Sequence, residues 1–235
     1  MTDVVRAGAF EIPVLYEDNH ILAVVKPPNM PAQADSSGDE DLLCILKGYI
    51  GYKYHKPGEV YLGLVHRLDR PVGGAMVFAR TSKAAARLSE AFARHAQDRR
   101  YLAVLQGELG SPRTLEDFLL KGEDGMVRVV DRDAPGAKLA RLSTSPLAVR
   151  SGRTLAEVEL FTGRSHQIRV QHKNAGLPLW GDARYGGGKP GQQIALWAHR
   201  LGFMHPTLRE PVRLKSLPPN DGAWAEFYDV IEGLG

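Results

Sequence analysis

The stretch "VLYEDNHILAVVKPP", residues 14–28, constrains the fold most. Two β-rich apolar runs flank Asp18, Asn19 and His20, polar residues of the kind that reverse a chain, so the stretch reads as a β-hairpin. The signature recurs along the chain. "YLGLV" and "GAMVFAR" read as strands on either side of residues 66–73, and "RRYLAVLQGEL" as another. "AKLARLSTSPLAV" and "RTLAEVELF" form a second hairpin around "RSGR", and "QIALWAHRLGFMHP" and "PVRLKSLPP" add further strands. Helical spacing interrupts them at irregular intervals, in "DEDLLCILKGYI", "TSKAAARLSEAFARHAQD", "GRSHQIRVQHKNAG" and "AWAEFYDVIEGL". The second of these is the clearest: Thr81 or Ser82 can cap it, and Leu88 and Phe92 pair at i,i+4. Residues 111–136, rich in Gly, Asp and Pro, read as loops with short strands. Hairpins with scattered helices predict an α+β fold with a mixed, mainly antiparallel sheet flanked by helices and loops, not a βαβ repeat. No Pro/Ser-rich linker divides the 235 residues, so one domain is expected.

Several function classes drop out on composition. One cysteine, Cys44, excludes an internal disulfide framework, and no Cys/His group has zinc-ligand spacing, so no metal and no cofactor are expected. The first residues lack a basic region followed by an apolar core, and no apolar run nears the roughly 20 residues of a membrane span. A cytoplasmic protein without a membrane partner is expected. The net charge of +3 says little, but its distribution says more. Residues 150–215 hold eleven Lys or Arg against four Asp or Glu, the imbalance a polyanion partner favours.

Three constellations could carry chemistry. In "HRLDRPVGG", residues 66–74, an extended backbone would put Arg67 and Asp69 on one face and His66 and Leu68 on the other. Pro71 keeps Arg70 out of the helical region, and Gly73 and Gly74 free the chain to turn. Asp69 then stands at a strand end, either a neutralised turn aspartate or a working carboxylate. In "TGRSHQIRVQHKNAG", a helix would align His166, Arg169 and Lys173 on one face at i, i+3, i+7, with Arg164 at its start and Ile168 as an anchor. That row suits phosphate contacts, since no acid accompanies it at ligand spacing. Tyr101, behind Arg99 and Arg100, could stack on a base or could be an ordinary half-buried strand residue.

Taken in order, "VLYEDNHILAVVKPPNMP", "GLVHRLDRPVGGAMVFART", "RRYLAVLQGEL", "TGRSHQIRVQHKNAGLPLWGDARYG" and "ALWAHRLGFMHP" resemble the RluA-type family of RNA pseudouridine synthases. The likeness runs from about residue 13 to 219. It implies one pseudouridine-synthase catalytic domain over residues 13–235 after a short extension, residues 1–12, without the small N-terminal RNA-binding domain many members carry. It implies catalytic roles for Asp69, Tyr101 and Arg169, with Arg169 as the partner of Asp69. His66, Arg67, Arg164, His166, Gln167, Ile168 and Lys173 are the implied substrate-binding residues. The implied substrate is a uridine in structured RNA, rRNA or tRNA, and the implied state a monomer. The alternative is a non-catalytic RNA-binding or ribosome-assembly factor on the same fold. One departure stands out: Val72-Gly73-Gly74 replaces the family's frequent Thr-Ser-Gly.

Overall fold

The computed structural model describes residues 3–94, 97–189 and 191–235. In chain order its elements are β1 (Val4–Ala7), β2 (Phe10–Glu17), β3 (Ile21–Lys26), α1 (Leu42–Lys53), β4 (Gly63–Leu64), β5 (Gly73–Ala79), α2 (Ser82–Ala93) and β6 (Asp98–Gln106). There follow β7 (Arg113–Lys121), β8 (Val127–Val130), β9 (Lys138–Arg150), β10 (Arg153–Leu160), α3 (Gln167–Asn174), β11 (Leu196–Met204), β12 (Pro211–Lys215) and α4 (Tyr228–Glu232). The fold is α+β and strand-rich. The chain forms two compact units, Met1–Asp98 with Ala198–Ser216, and Arg99–Trp197 with Leu217–Gly235.

In the first unit the strand order is β1-β2-β3-β5-β11, with β12 on β11 and β4 on β5. The opening hairpin is β2 and β3, paired antiparallel. Residues 4–7, in the segment expected as an extension, form β1 against β2. All seven residues of β5 are buried, so "GGAMVFA" needs no polar face. The longest helix expected from sequence is α2, and its cap is Thr81, whose Oγ1 accepts from Ala84 N at 3.1 Å. Its buried residues, Ala84, Leu88 and Phe92, fall at i, i+4, i+8 and join a core with Ile21, Ala75, Val77 and Leu201. Full burial of a side chain such as Leu88 is worth roughly 1.5–3 kcal/mol. The end of that expected helix, His95 and Ala96, lies outside the described residues.

The second unit orders its strands β6-β10-β9-β7-β8. The expected turn between β9 and β10 is Ser151-Gly152, both at positive φ (47° and 70°), the backbone a tight two-residue hairpin needs. Pro146 lacks an N–H for the ladder, and the β9–β10 register shifts beside it, between Leu155 and Ala156. Residues 111–136 are more regular than their composition suggests. β7 runs nine residues because β9 and β8 both pair with it, a non-local support that overrides its charged sequence.

Gly74 shows why the glycine pair matters. Its φ is +123°, and a Cβ there would lie 2.4 Å from the Ala198 carbonyl oxygen and 2.6 Å from its nitrogen. Gly74→Ala must move β5 away from β11, at a cost of about 3 kcal/mol. The expected melting temperature falls by roughly 6–12 °C. Gly48→Ala in α1, where a Cβ meets nothing within 4 Å, should melt no lower than the parent protein. Thermal unfolding of the two variants checks both outcomes.

Candidate active site

Asp69, His66 and Arg67 belong to the first unit. The "HRLD" segment leaves β4 without regular structure and ends in a turn that Val72 N closes on the Asp69 carbonyl at 2.9 Å. Leu68 is buried and Arg67 exposed, while Asp69 and His66 are half-buried. His66 stacks on Phe92 at 4.6 Å between centroids, 9° from parallel, and its Nε2 accepts from Val77 N at 3.0 Å. That nitrogen therefore carries a lone pair, and the ring is neutral when the bond is made. Arg70, the cation that follows Asp69, turns to the Asn29 carbonyl at 3.1 Å and to Asp35 and Asp39.

A residue not singled out from sequence anchors this loop. Lys26 is fully buried at the end of β3, opposite Gly74, and its Nζ donates to the carbonyls of Met30 (2.7 Å), Pro27 (2.8 Å) and Arg70 (3.0 Å). Burial pulls its pKa down to about 7, with the charge of Asp69 opposing that fall and the charge of Arg70 adding to it. Three carbonyl acceptors engage all three ammonium protons, which favours the charged form. The turn after Asp69 is thus tied to the loop after β3 by a buried cation. The only sequence signal was a lysine placed between an apolar strand and two prolines.

The remaining candidates belong to the second unit. Tyr101 sits half-buried on β6, opposite Val158 of β10. Arg99, two residues before it, shares its strand face and is packed so closely on Gly163 that a Cβ there would lie 2.5 Å from Nη1. Arg100 faces the other way and pairs with Glu157 at 2.8 Å and Glu159 at 3.6 Å, so its charge is compensated within the sheet.

The expected cationic row on α3 does not form. The helix begins at Gln167, and His166 precedes it in a left-handed conformation, φ 52° and ψ 20°. That backbone aims the ring away from the helical series, and Nδ1 lies 2.7 Å from the Tyr185 hydroxyl. Arg169 is buried, whereas Lys173 is exposed near the last turn. Ile168 is a core residue, as its anchoring role requires. Gln167 is buried too, its Oε1 accepting from the Thr162 hydroxyl and Arg164 N, its Nε2 donating to the Arg141 carbonyl. Both residues hold α3 in place. Arg164 Nε donates to the Leu139 carbonyl at 2.9 Å. His172 is pushed down to about 4 by burial and adds no charge to the basic half at neutral pH.

Asp182 grips Arg169 in a bidentate pair, Nε to Oδ2 at 2.8 Å and Nη2 to Oδ1 at 2.7 Å, with both side chains buried. Oδ1 also accepts from Arg184 N and Tyr185 N, which fixes the carboxylate. The Tyr185 ring lies 5.1 Å from the guanidinium, and its hydroxyl accepts from Val127 N at 3.0 Å. Arg169 is therefore held by the "WGDARYG" segment, whose Asp182 is saturated with donors. Among the described residues there is no cluster of acids, histidines and cysteines able to hold a metal ion, and no helix long and apolar enough to cross a membrane.

A family model described as RNA pseudouridylate synthase matches residues 20–174. An RNA pseudouridine synthase of Bacillus subtilis, YhcT, is 34% identical over 90% of this chain and 70% of its own. The ribosomal large subunit pseudouridine synthase D of Zymomonas mobilis is 32% identical over 88% of this chain and 69% of its own. The tRNA pseudouridine synthase C of Vibrio cholerae is 28% identical over 86% and 89%. The solved structure of human RNA pseudouridylate synthase domain containing 4 has the same fold, with a TM-score of 0.72, 22% identity, and coverage of 94% of this chain and 92% of that one.

Proposed function

Since the chain belongs to the RNA pseudouridylate synthase family, we propose that it isomerises particular uridines in structured RNA, rRNA or tRNA, with Asp69 as the reacting carboxylate. The observation that carries this reading is the presentation of Asp69: half-buried, at the start of a turn clamped by the buried Lys26. In this reading Tyr101 packs against the target base and Arg169 supplies a fixed positive charge. Arg67, Arg164 and Lys173, with His66 and His166, help seat the RNA, and Gln167 and Ile168 keep α3 in register.

A stacked uridine must leave its helix before its sugar can be reached. The N1–C1′ bond then breaks, the uracil turns, and C5 bonds to C1′; the proton lost from C5 is balanced by one gained at N1. An ionised Asp69 can open this sequence by attacking C1′ or by taking the adjacent C2′ proton. Hydrolysis of the same bond by paired acids would need a second free carboxylate. Asp182 is committed to Arg169 and two backbone N–H groups.

The test is incubation of the protein with uridine-labelled rRNA and tRNA transcripts, followed by nucleoside analysis. Pseudouridine without free uracil is the expected product. Free uracil would mean a hydrolase, and RNA binding with neither product a non-catalytic factor.

A further inference from the structure

A cleft of about 310 Å³ lies in the second unit, lined by Leu119, Leu120, Lys121, Val127, Gly136, Lys138, Gly163, Arg164 and Ser165. We propose that this cleft is a binding site for one phosphodiester of the RNA substrate and the nucleotide attached to it. The proposal rests on the reading of the protein as an RNA-modifying enzyme.

The charge of the lining comes first. Its three ionisable side chains, Lys121, Lys138 and Arg164, are all cationic, and no carboxylate pairs with any of them among the described residues. Several other arginines of this unit are compensated: Arg100 by Glu157, Arg128 by Asp124, Arg153 by Glu226, Arg169 by Asp182. Three uncompensated cations around one hollow repel each other unless an anion enters.

Geometry selects the kind of anion. Arg164 is anchored through Nε to the Leu139 carbonyl, which fixes the plane of its guanidinium. A planar fork suits the oxygens of a phosphate, and two lysines add point charges at no cost in geometry. Ser165 contributes a hydroxyl, and Gly136 and Gly163 carry no side chain to block the approach. Leu119 and Val127 are buried in a core with Ala140, Val170 and Tyr185, so the apolar part of the lining is rigid. The volume is at the lower end for small-molecule pockets, enough for one nucleotide. The cleft also adjoins the start of α3 in sequence, so an RNA strand held there is held close in the chain to the "HQIR" segment.

The probe is a fluorescein-labelled uridine-rich RNA hairpin, with affinity to the full chain measured by anisotropy over a range of salt. For the double variant Lys121→Gln with Lys138→Gln, the slope of log K against log salt should fall by about 1–2, and the dissociation constant rise about tenfold at low salt. Lys121→Arg with Lys138→Arg should keep the parent slope, and Lys47→Gln with Lys83→Gln, outside the cleft, should also keep it. An unchanged slope in the first variant overturns the proposal. Competition by free uridine monophosphate as strong as by the hairpin also overturns it, since the site would then bind mononucleotides. This readout needs no turnover. A lowered slope without pseudouridine would defeat only the catalytic reading, and pseudouridine with an unchanged slope only the cleft.

Discussion

Asp69→Asn should lower the rate of uridine isomerisation at least about 10⁴-fold while RNA binding stays within about threefold of the parent protein. Asparagine has almost the same shape, so the turn closed by Val72 N on the residue 69 carbonyl is kept, as are the buried Leu68 before it and the Lys26 clamp on Arg70. What is lost is the negative charge, and with it both routes open to the carboxylate: a neutral amide neither attacks C1′ nor takes the C2′ proton. Removing a negative charge from a surface that meets a polyanion does not weaken the encounter. Release of tritium from RNA labelled at uracil C5 reads the chemical step directly, because that hydrogen leaves in every turnover. Turnover by Asp69→Asn at even a hundredth of the parent rate would remove Asp69 from the chemistry.

Much of this was legible in the sequence where the determinants are local. α2 carries its own cap at Thr81 and a buried stripe at fixed spacing, and the Ser151-Gly152 turn is written in two residues. In the "HRLD" segment Leu68 is buried and Arg67 exposed, as an apolar and a charged side chain prefer. The misreadings share a cause. Residues 111–136 read as loops with short strands for their Gly, Asp and Pro, but β8 and β9 pair with β7 from either side. The face shared by His166, Arg169 and Lys173 assumed a helix starting at Arg164, three residues before the real one. His166 instead takes a left-handed conformation and meets the Tyr185 hydroxyl, nineteen residues on. Lys26 was hidden for a different reason. Its role comes from three carbonyls, and carbonyls are the same in every residue, so no side-chain pattern announces it. The glycine pair ended as the most constrained part of its motif, at Gly74, since a backbone from elsewhere in the chain lies against it.

Asp182→Ala is expected to cost about 3–5 kcal/mol of stability, the range for stripping one partner from a buried ion pair. The reason is the guanidinium left behind. Arg169 is buried, and Nε and Nη2 lose their acceptors together, while the N–H groups of Arg184 and Tyr185 lose theirs. Asp182→Asn keeps an acceptor of similar shape but not its charge, so its melting temperature should fall between that of Asp182→Ala and the parent. The double variant Arg169→Met with Asp182→Leu separates stability from function. It removes both charges, fills the space with apolar atoms, and places a thioether where the guanidinium met the Tyr185 ring. Its stability should recover to within about 2 kcal/mol of the parent. Pseudouridine formation should remain lost, because the fixed positive charge assigned to Arg169 is gone. Denaturant unfolding and the tritium assay on the same preparations decide the matter. A double variant as unstable as Asp182→Ala would mean that the pair is held by more than its two charges, and an active one would release Arg169 from the chemistry.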